Sequence, residues 1–230
     1  MAALLWFGFS VQPVVPAWAD AAPQNGTLRF EVDFDGRPIG EHALTFESQP
    51  DGSLNVAIDI DLAIKFGPFT VFSYSQQNRT RWRGGQLVSL QSETDDDGTQ
   101  HRLRAIAEAG ALRVLTEEAT FKVTASMLPS TYWMASTVHQ NQLLNSQTGE
   151  LLEIAVRKLG RTSVAGPAGA IPATHYRMDG DLEIDLWYDD SDVLVGLAFE
   201  ARGAQVAYRL VERQGSIPVS MAKTIMNARN

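Results

Sequence analysis

The chain has 230 residues, of which 44% are hydrophobic, and it carries a formal net charge of −8 at pH 7. A chain of this length and composition can bury a core and form a single β domain. The acidic balance argues against nucleic-acid binding, which needs a basic surface to displace counterions. The sequence has no cysteine, so disulfides, zinc–thiolate sites and thiol nucleophiles are excluded.

The first residues have the pattern of an export signal. Residues 2–19 are apolar and uncharged, and they end in Ala17, Trp18 and Ala19, which match the small-residue pattern that signal peptidase requires. No Lys or Arg precedes this run, so either the α-amino group supplies the positive charge or the true start lies upstream. Two prolines interrupt the run, which is shorter than the ~20 residues of a membrane span. We therefore expect a signal peptide over residues 1–19, cleavage after Ala19, and a periplasmic protein with no transmembrane anchor.

Alternation of apolar and polar residues dominates the rest of the chain. In the clearest run, Leu54, Val56, Ile58, Ile60 and Leu62 lie on one face. Period two is the spacing of a strand with one buried face. Similar runs recur between turns rich in Gly and Asp, over residues 28–34, 40–46, 69–82, 87–94, 100–107, 112–116, 150–158, 162–164 and 173–178, and in a meander over 180–211.

These runs predict an all-β fold, with about ten antiparallel strands in a single curved sheet that forms a half-barrel or barrel. An open flat sheet of that size would leave long edges and an uncovered face. The alternation breaks between residues 126 and 142, where Ser130 or Thr131 could cap one short helix over residues 130–138 that covers the sheet. We expect residues 20–218 to form a single β domain and residues 219–230 to be a loose tail.

No stretch carries a recognisable catalytic motif. The four histidines are not placed at metal-ligand spacing. Asp181, Glu183 and Asp185 alternate along one predicted strand face, where adjacent carboxylates could flank a hydrolysed bond or a Ca²⁺ ion. The solvent-facing side of a half-buried strand explains the same pattern. We therefore predict no catalytic residue, no metal and no cofactor.

Five aromatic residues are candidates for contact with a ligand. They fall at predicted strand ends or in the break of the alternation, and they are Trp82, Tyr132, Trp133, Trp187 and Tyr188. Trp187 lies on the charged face of its strand, where an aromatic ring can cover a cavity mouth or pack under the helix. Packing within the core is the alternative for all five.

Several segments together resemble a family of secreted bacterial envelope proteins that is grouped as a domain of unknown function. The most specific are Leu-Leu-Asn-Ser-Gln-Thr-Gly at residues 143–149 and Leu-Trp-Tyr at 186–188. Leu194 departs from the pattern, since the resemblance leads us to expect Trp there. The resemblance implies an envelope location and a curved antiparallel sheet, and it brings no activity and no catalytic residues. Other matching segments lie at residues 35–40, 132–133, 160–161, 175–177 and 208–210.

Three functional hypotheses follow from the sequence. The first is a periplasmic protein that binds or carries a lipid or another hydrophobic small molecule in a β cavity. The second is a structural or assembly factor that binds an envelope protein through a sheet edge or the convex face. The third is a hydrolase that uses the carboxylates of Asp181, Glu183 and Asp185.

Overall fold

All the strands of the computed structural model, which describes residues 25–217, belong to one antiparallel sheet. The predicted signal peptide and the residues of the predicted tail lie outside the described residues. Among residues 25–217, no helix is long and apolar enough to cross a membrane. The strands are β1 Gly26–Phe34, β2 Arg37–Ser48, β3 Leu54–Phe66, β4 Phe69–Arg83, β5 Gln86–Asp96, β6 Thr99–Glu108, β7 Ala111–Leu115, β8 Thr120–Thr124, β9 Gln142–Leu144, β10 Leu151–Gly166, β11 Gly169–Gly180, β12 Ile184–Asp189, β13 Leu194–Ala201 and β14 Ala204–Gly215.

The sheet is a meander whose first and last strands meet in the middle. Its strand order is β8-β7-β6-β5-β4-β3-β2-β1-β14-β13-β12-β11-β10-β9. β8 and β9 are the end strands, and the barrel-like sheet is not closed by pairing between them. The prediction of a single antiparallel all-β sheet is therefore confirmed, whereas its size was underestimated. The strands that were missed are β8 and β9, and the three residues of β9 are too few to show a period of two in the sequence.

The predicted alternation is confirmed in the strands that line the interior. In β3, Leu54, Val56 and Ile58 are buried, whereas Asp59 and Asp61 on the other face are exposed. In β12, Ile184, Leu186 and Tyr188 are buried and alternate with half-buried residues. The inward faces of these strands form the main part of one continuous core, as expected for a sheet that curls around a single interior.

The predicted helix over residues 130–138 is wrong in type and position. The segment contains instead a single 3-10 turn at Ala135–His139, and its N-cap residue Met134 makes no capping hydrogen bond through its side chain. The hydroxyl of Ser130 accepts a hydrogen bond from the backbone N–H of Ser146 at 3.0 Å, so it does not cap a helix. Trp133, in the same segment, packs inside the sheet with its ring centroid 5.5 Å from that of Trp82.

The loop between β9 and β10 links the two ends of the curled sheet. The side-chain amide of Gln147 donates to the Asp96 carboxylate at 3.2 Å, and the hydroxyl of Tyr74 donates to Oε1 of Gln147 at 3.4 Å. The amide of Gln76 donates to the backbone carbonyl of Ser146 at 3.3 Å. Residues 145–149, which we call the closing loop, are thus attached to β4 and β5. Side-chain and loop contacts close the interior where strand pairing does not.

Gly149 allows the closing loop to approach the opposite side of the interior. Its φ is +84°, in the left-handed region that favours glycine. A Cβ atom at this position would lie 2.6 Å from Cγ2 of Thr116 and 3.0 Å from Cδ1 of Leu103. Both the backbone conformation and the close approach therefore require glycine here.

A pair of glycine substitutions tests whether this close approach stabilises the fold. Gly110 also has a positive φ of +75°, but nothing lies within 4 Å of a Cβ built there. We expect Gly110→Ala to lower the free energy of unfolding by about 1 kcal/mol through backbone strain alone. Gly149→Ala adds overpacking and should lower it by about 2–4 kcal/mol. Urea unfolding of both variants measures the difference, and equal losses would show that the closing loop does not pack as described.

Candidate functional site: a cavity inside the curled sheet

The interior of the sheet has a filled half and an open half. In the filled half, Trp82 and Trp133 meet at 90°, and Trp133 also contacts Phe46 with ring centroids 5.3 Å apart. Trp82 and Phe46 are fully buried, and Trp82 Nε1 donates to the hydroxyl of Thr80 at 2.8 Å. The other half contains a cavity of about 580 Å³. This volume lies within the usual range of small-molecule sites.

One wall of the cavity is apolar and comes mainly from β2, β3, β13 and β14. Inward alternation brings Ile60 and Leu62 of β3 against Phe199 of β13 and Val206 of β14 in a small cluster separate from the main core. Apolar side chains on this wall and at the mouth include Phe34, Ile39, Ile60, Leu62, Ile64, Phe72, Leu182, Phe199 and Val206. A ligand with a hydrocarbon part would remove this surface from water, which is favourable in proportion to the area buried.

Polar side chains from β4 and two loops line the cavity beside these apolar side chains. Gln76 points inward from β4, and its amide donates to the hydroxyl of Thr94 at 3.1 Å. Ser130 and Tyr132 come from the segment after β8, and Ser146 and Gln147 come from the closing loop. The same contacts that close the sheet therefore also place hydrogen-bonding groups along one side of the cavity.

Three tyrosines, Tyr74, Tyr132 and Tyr208, line the cavity. Burial raises the pKa of each phenol well above its usual range. Charging a phenol in this environment is costly because the low-dielectric interior disfavours the anion. The three hydroxyls therefore stay neutral at physiological pH and can donate or accept hydrogen bonds.

His42 lies at the inner end of the cavity and has no hydrogen-bond partner among the described residues. It is 5% exposed, and neither Nδ1 nor Nε2 contacts a donor or acceptor. Its ring lies between Phe30 and the edge of Tyr208, with centroid distances of 5.8 and 5.6 Å. Burial lowers the pKa of His42 to about 4, so the imidazole is neutral at pH 7.

The five predicted aromatic residues do not all line the cavity. Tyr132 lines the cavity, and Trp82 and Trp133 belong to the filled half of the interior. Tyr188 is buried and donates its hydroxyl to the backbone carbonyl of Tyr132 at 2.6 Å, so it supports the cavity wall from behind. Trp187 stacks on His175 with ring centroids 4.6 Å apart. Contact between any of the five and a ligand stays a prediction.

Of the three predicted carboxylates, only Asp185 lies within a strand, although Glu183 and Asp185 share the partner Arg177. Asp185 lies in β12 and pairs with Arg177 at 2.9 Å and with Nε2 of His175 at 2.7 Å. Asp181 and Glu183 precede β12 and line the cavity at its edge. Within residues 25–217, no group of three or more His, Asp or Glu side chains is placed to hold a metal ion.

The sequence interpretation missed His42, Gln76, Tyr74 and Tyr208. A signal for His42 was present, because Gly40, His42, Leu44 and Phe46 alternate in one strand and the last two are apolar. Gln76 lies in a strand whose two faces are both polar over residues 75–80, so hydrophobic alternation could not assign its direction.

Replacement of His42 tests the neutral state of its ring. His42 takes up a proton below about pH 6.5 in the unfolded chain, whereas its pKa in the folded protein is about 4. Above pH 6.5 the buried imidazole therefore does not reduce the free energy of unfolding, and between pH 6.5 and 4 that free energy falls because only the unfolded chain binds the proton. When the pH is lowered from 7.5 to 5, the free energy of unfolding should decrease by about 2 kcal/mol less in His42→Phe than in the unmodified protein.

His139→Gln provides the control for the loss of a histidine, since His139 is exposed and does not line the cavity. Denaturant unfolding at both pH values measures the three proteins. An identical pH dependence for His42→Phe and the unmodified protein would contradict a buried neutral imidazole.

The fold is similar to that of a solved structure of unassigned function. The crystal structure of a β-barrel-like protein of the domain of unknown function DUF1849 from Brucella abortus matches with a TM-score of 0.61 and 11% sequence identity. The match covers 84% of this chain and 98% of that chain. At this identity the likeness shows the fold alone.

The sequence comparisons agree with the resemblance drawn from the motifs. No curated protein matches the sequence. The family model DUF6134, described as a domain of unknown function, matches residues 30–211 and so includes the residues that line the cavity. The chain therefore belongs to the DUF6134 family of domains of unknown function.

Proposed function

We propose that this protein binds or carries a lipid or another hydrophobic small molecule in the cavity of its curled sheet. The observation that carries the proposal is an internal space of about 580 Å³ that the protein's own side chains leave open beside a fully packed core. Protein interiors are normally packed to the density of organic crystals. An opening of this size therefore departs from normal packing, and a ligand-binding role accounts for it.

The apolar and polar side chains of the cavity suit an amphipathic ligand. A hydrocarbon part fits against Ile60, Leu62 and Phe199 on the apolar wall. A polar part can reach the neutral hydroxyl of Tyr132 and the side-chain amide of Gln76, which is the cross-strand neighbour of Ile60. A few placed polar groups in a mostly apolar pocket are the usual arrangement in small-molecule sites, where they fix the orientation of the ligand.

Filling the cavity with a side chain tests this function. Ala201 lies on the apolar wall, whereas Ala43 is on the outward face of β2 and pairs with Arg29 and Asp59. Ala201→Trp should weaken binding of the neutral fluorescent probe N-phenyl-1-naphthylamine by at least about tenfold, which corresponds to ~1.4 kcal/mol. Ala43→Trp makes the same chemical change outside the cavity and should leave the dissociation constant unchanged.

Probe fluorescence gives the dissociation constants, and the thermal midpoint of each variant shows whether it is folded. Failure of the unmodified protein to bind the probe would contradict the proposal. Equal binding by a folded Ala201→Trp variant would show that the ligand does not enter the cavity.

We also propose that the protein acts in the periplasm after export. Support comes from the apolar run of residues 2–19 and its terminal Ala17-Trp18-Ala19 pattern. Expression of the full chain in a Gram-negative host should give a periplasmic protein whose first residue is Asp20, as measured by fractionation and N-terminal sequencing. Ala19→Arg should block processing, because signal peptidase requires a small residue at this position. Recovery of an unprocessed chain in the cytoplasm would contradict export.

A further inference from the structure

The charged side chains that line the cavity are mostly acidic. Asp96, Asp181, Glu183 and Glu200 provide four carboxylates, and Arg202 provides one guanidinium, which gives a net charge of −3. All five belong to the ends of strands or the turns between them, and none is buried. The mouth of the cavity therefore has a negative field, and an entering ligand must pass through it.

The acidic side chains at the mouth differ in whether they already have a hydrogen-bond or ion-pair partner. Asp96 accepts from Gln147, Asp181 accepts the backbone N–H of Glu153 at 2.8 Å, and Glu183 pairs with Arg177 at 2.8 Å. The side chain of Glu200 makes no hydrogen bond or ion pair within residues 25–217, and it lies at the rim, between the inward-facing Phe199 and Ala201 of β13. Its carboxylate is therefore not neutralised by a partner and contributes its charge to the field at the mouth.

One cationic side chain of the protein already lies at the mouth. The guanidinium carbon of Arg202 lies 4.5 Å from the ring centroid of Phe72, close enough for a cation–π interaction. Arg202 lies in the turn between β13 and β14, and Phe72 lies in β4. In the sheet, β1, β2 and β3 separate β14 from β4. The contact therefore spans the mouth, where an aromatic face and nearby carboxylates together favour a positive charge.

The inner end of the cavity offers no positive charge to an anion. His42 lies there 95% buried with both ring nitrogens unpartnered, and no Lys or Arg other than Arg202 lines the cavity in the described part of the chain. A buried polar side chain without a partner is uncommon in proteins, so the ring is free to bond a neutral polar group that enters the cavity. An anionic group placed at this end would lose its hydration without a compensating charge.

On these grounds we infer that the cavity selects amphipaths whose head group is a cation, such as a long-chain amine or quaternary ammonium. The inference rests on the function proposed above and adds the class of ligand to it. The hydrocarbon chain lies against the apolar side chains, and the ammonium stays at the mouth over Phe72, where it replaces the guanidinium of Arg202 and lies within the field of the rim carboxylates, including that of Glu200. The rim carboxylates then repel fatty acids and other anionic amphipaths.

Three ligands with the same chain length test this selection. Dodecyltrimethylammonium, glycerol monolaurate and dodecanoate carry positive, zero and negative charge, and each is titrated below its micelle concentration to displace N-phenyl-1-naphthylamine. At about 10 mM salt, where the Debye length is ~30 Å, the cation should bind at least about tenfold more tightly than the anion, with the neutral ligand between them. The ratio should fall towards one as salt approaches about 1 M.

A charge reversal at the mouth identifies the residue responsible. Glu200→Lys should abolish or invert the preference for the cation while leaving the affinity for glycerol monolaurate unchanged. Glu118→Lys makes the same charge change in the turn between β7 and β8, away from the cavity lining, and should preserve the preference. This control separates the local field at the mouth from the overall charge of the protein.

The possible outcomes separate this inference from the proposed function. Binding of all three ligands with equal affinity, or tightest binding of dodecanoate, would overturn cation selection and leave the cavity as a hydrophobic site. An unchanged preference in a folded Glu200→Lys variant would overturn the role of the mouth. Absence of binding by the probe and by every ligand would overturn the proposed function itself.

Discussion

Packing of the closing loop against strands from the far side of the sheet is the constraint on which the cavity depends. The end strands β8 and β9 do not pair, so hydrogen bonding between strands cannot complete the enclosure. Gln147 and Ser146 provide the missing connection through Asp96, Tyr74 and Gln76. Because the same side chains line the cavity, the structure that closes the interior also determines the chemistry of its polar lining.

The division of the interior follows from where the large side chains fall. The segment after β8 inserts Trp133 between Phe46 and Trp82, and this cluster fills one half of the enclosed space. In the other half, aromatic side chains such as Tyr74, Phe199 and Tyr208 line the cavity and leave space between them, and the small Ala201 also faces inward. A fold with this many strands encloses more volume than one layer of inward side chains fills. The excess appears as a cavity rather than as loose packing throughout.

The sequence was sufficient to predict the strands that have one apolar face. It was insufficient for segments whose structure depends on contacts with residues far away in the sequence. The inward faces of β3 and β12 were predicted, because burial of one face imposes a strict period of two, although β3 continues to Phe66 and β12 begins only at Ile184. The helix was mispredicted because Ser130 bonds Ser146, sixteen residues away, and Trp133 packs against strands far from it in sequence. Likewise, the inward polar face of β4 could not be recognised, since its partners Thr94 and Ser146 come from other elements.

Methyl NMR of isotope-labelled isoleucine tests most directly whether the cavity is where a ligand binds. Ile39, Ile60 and Ile64 line the cavity, and Ile106 is exposed on the outward face of β6, so one spectrum contains both the site and its control. During titration with N-phenyl-1-naphthylamine, the three cavity methyl signals should shift in a saturable manner while that of Ile106 stays in place. Unmoved cavity signals at saturating probe, or a shift of Ile106 equal to theirs, would contradict a ligand site inside the curled sheet.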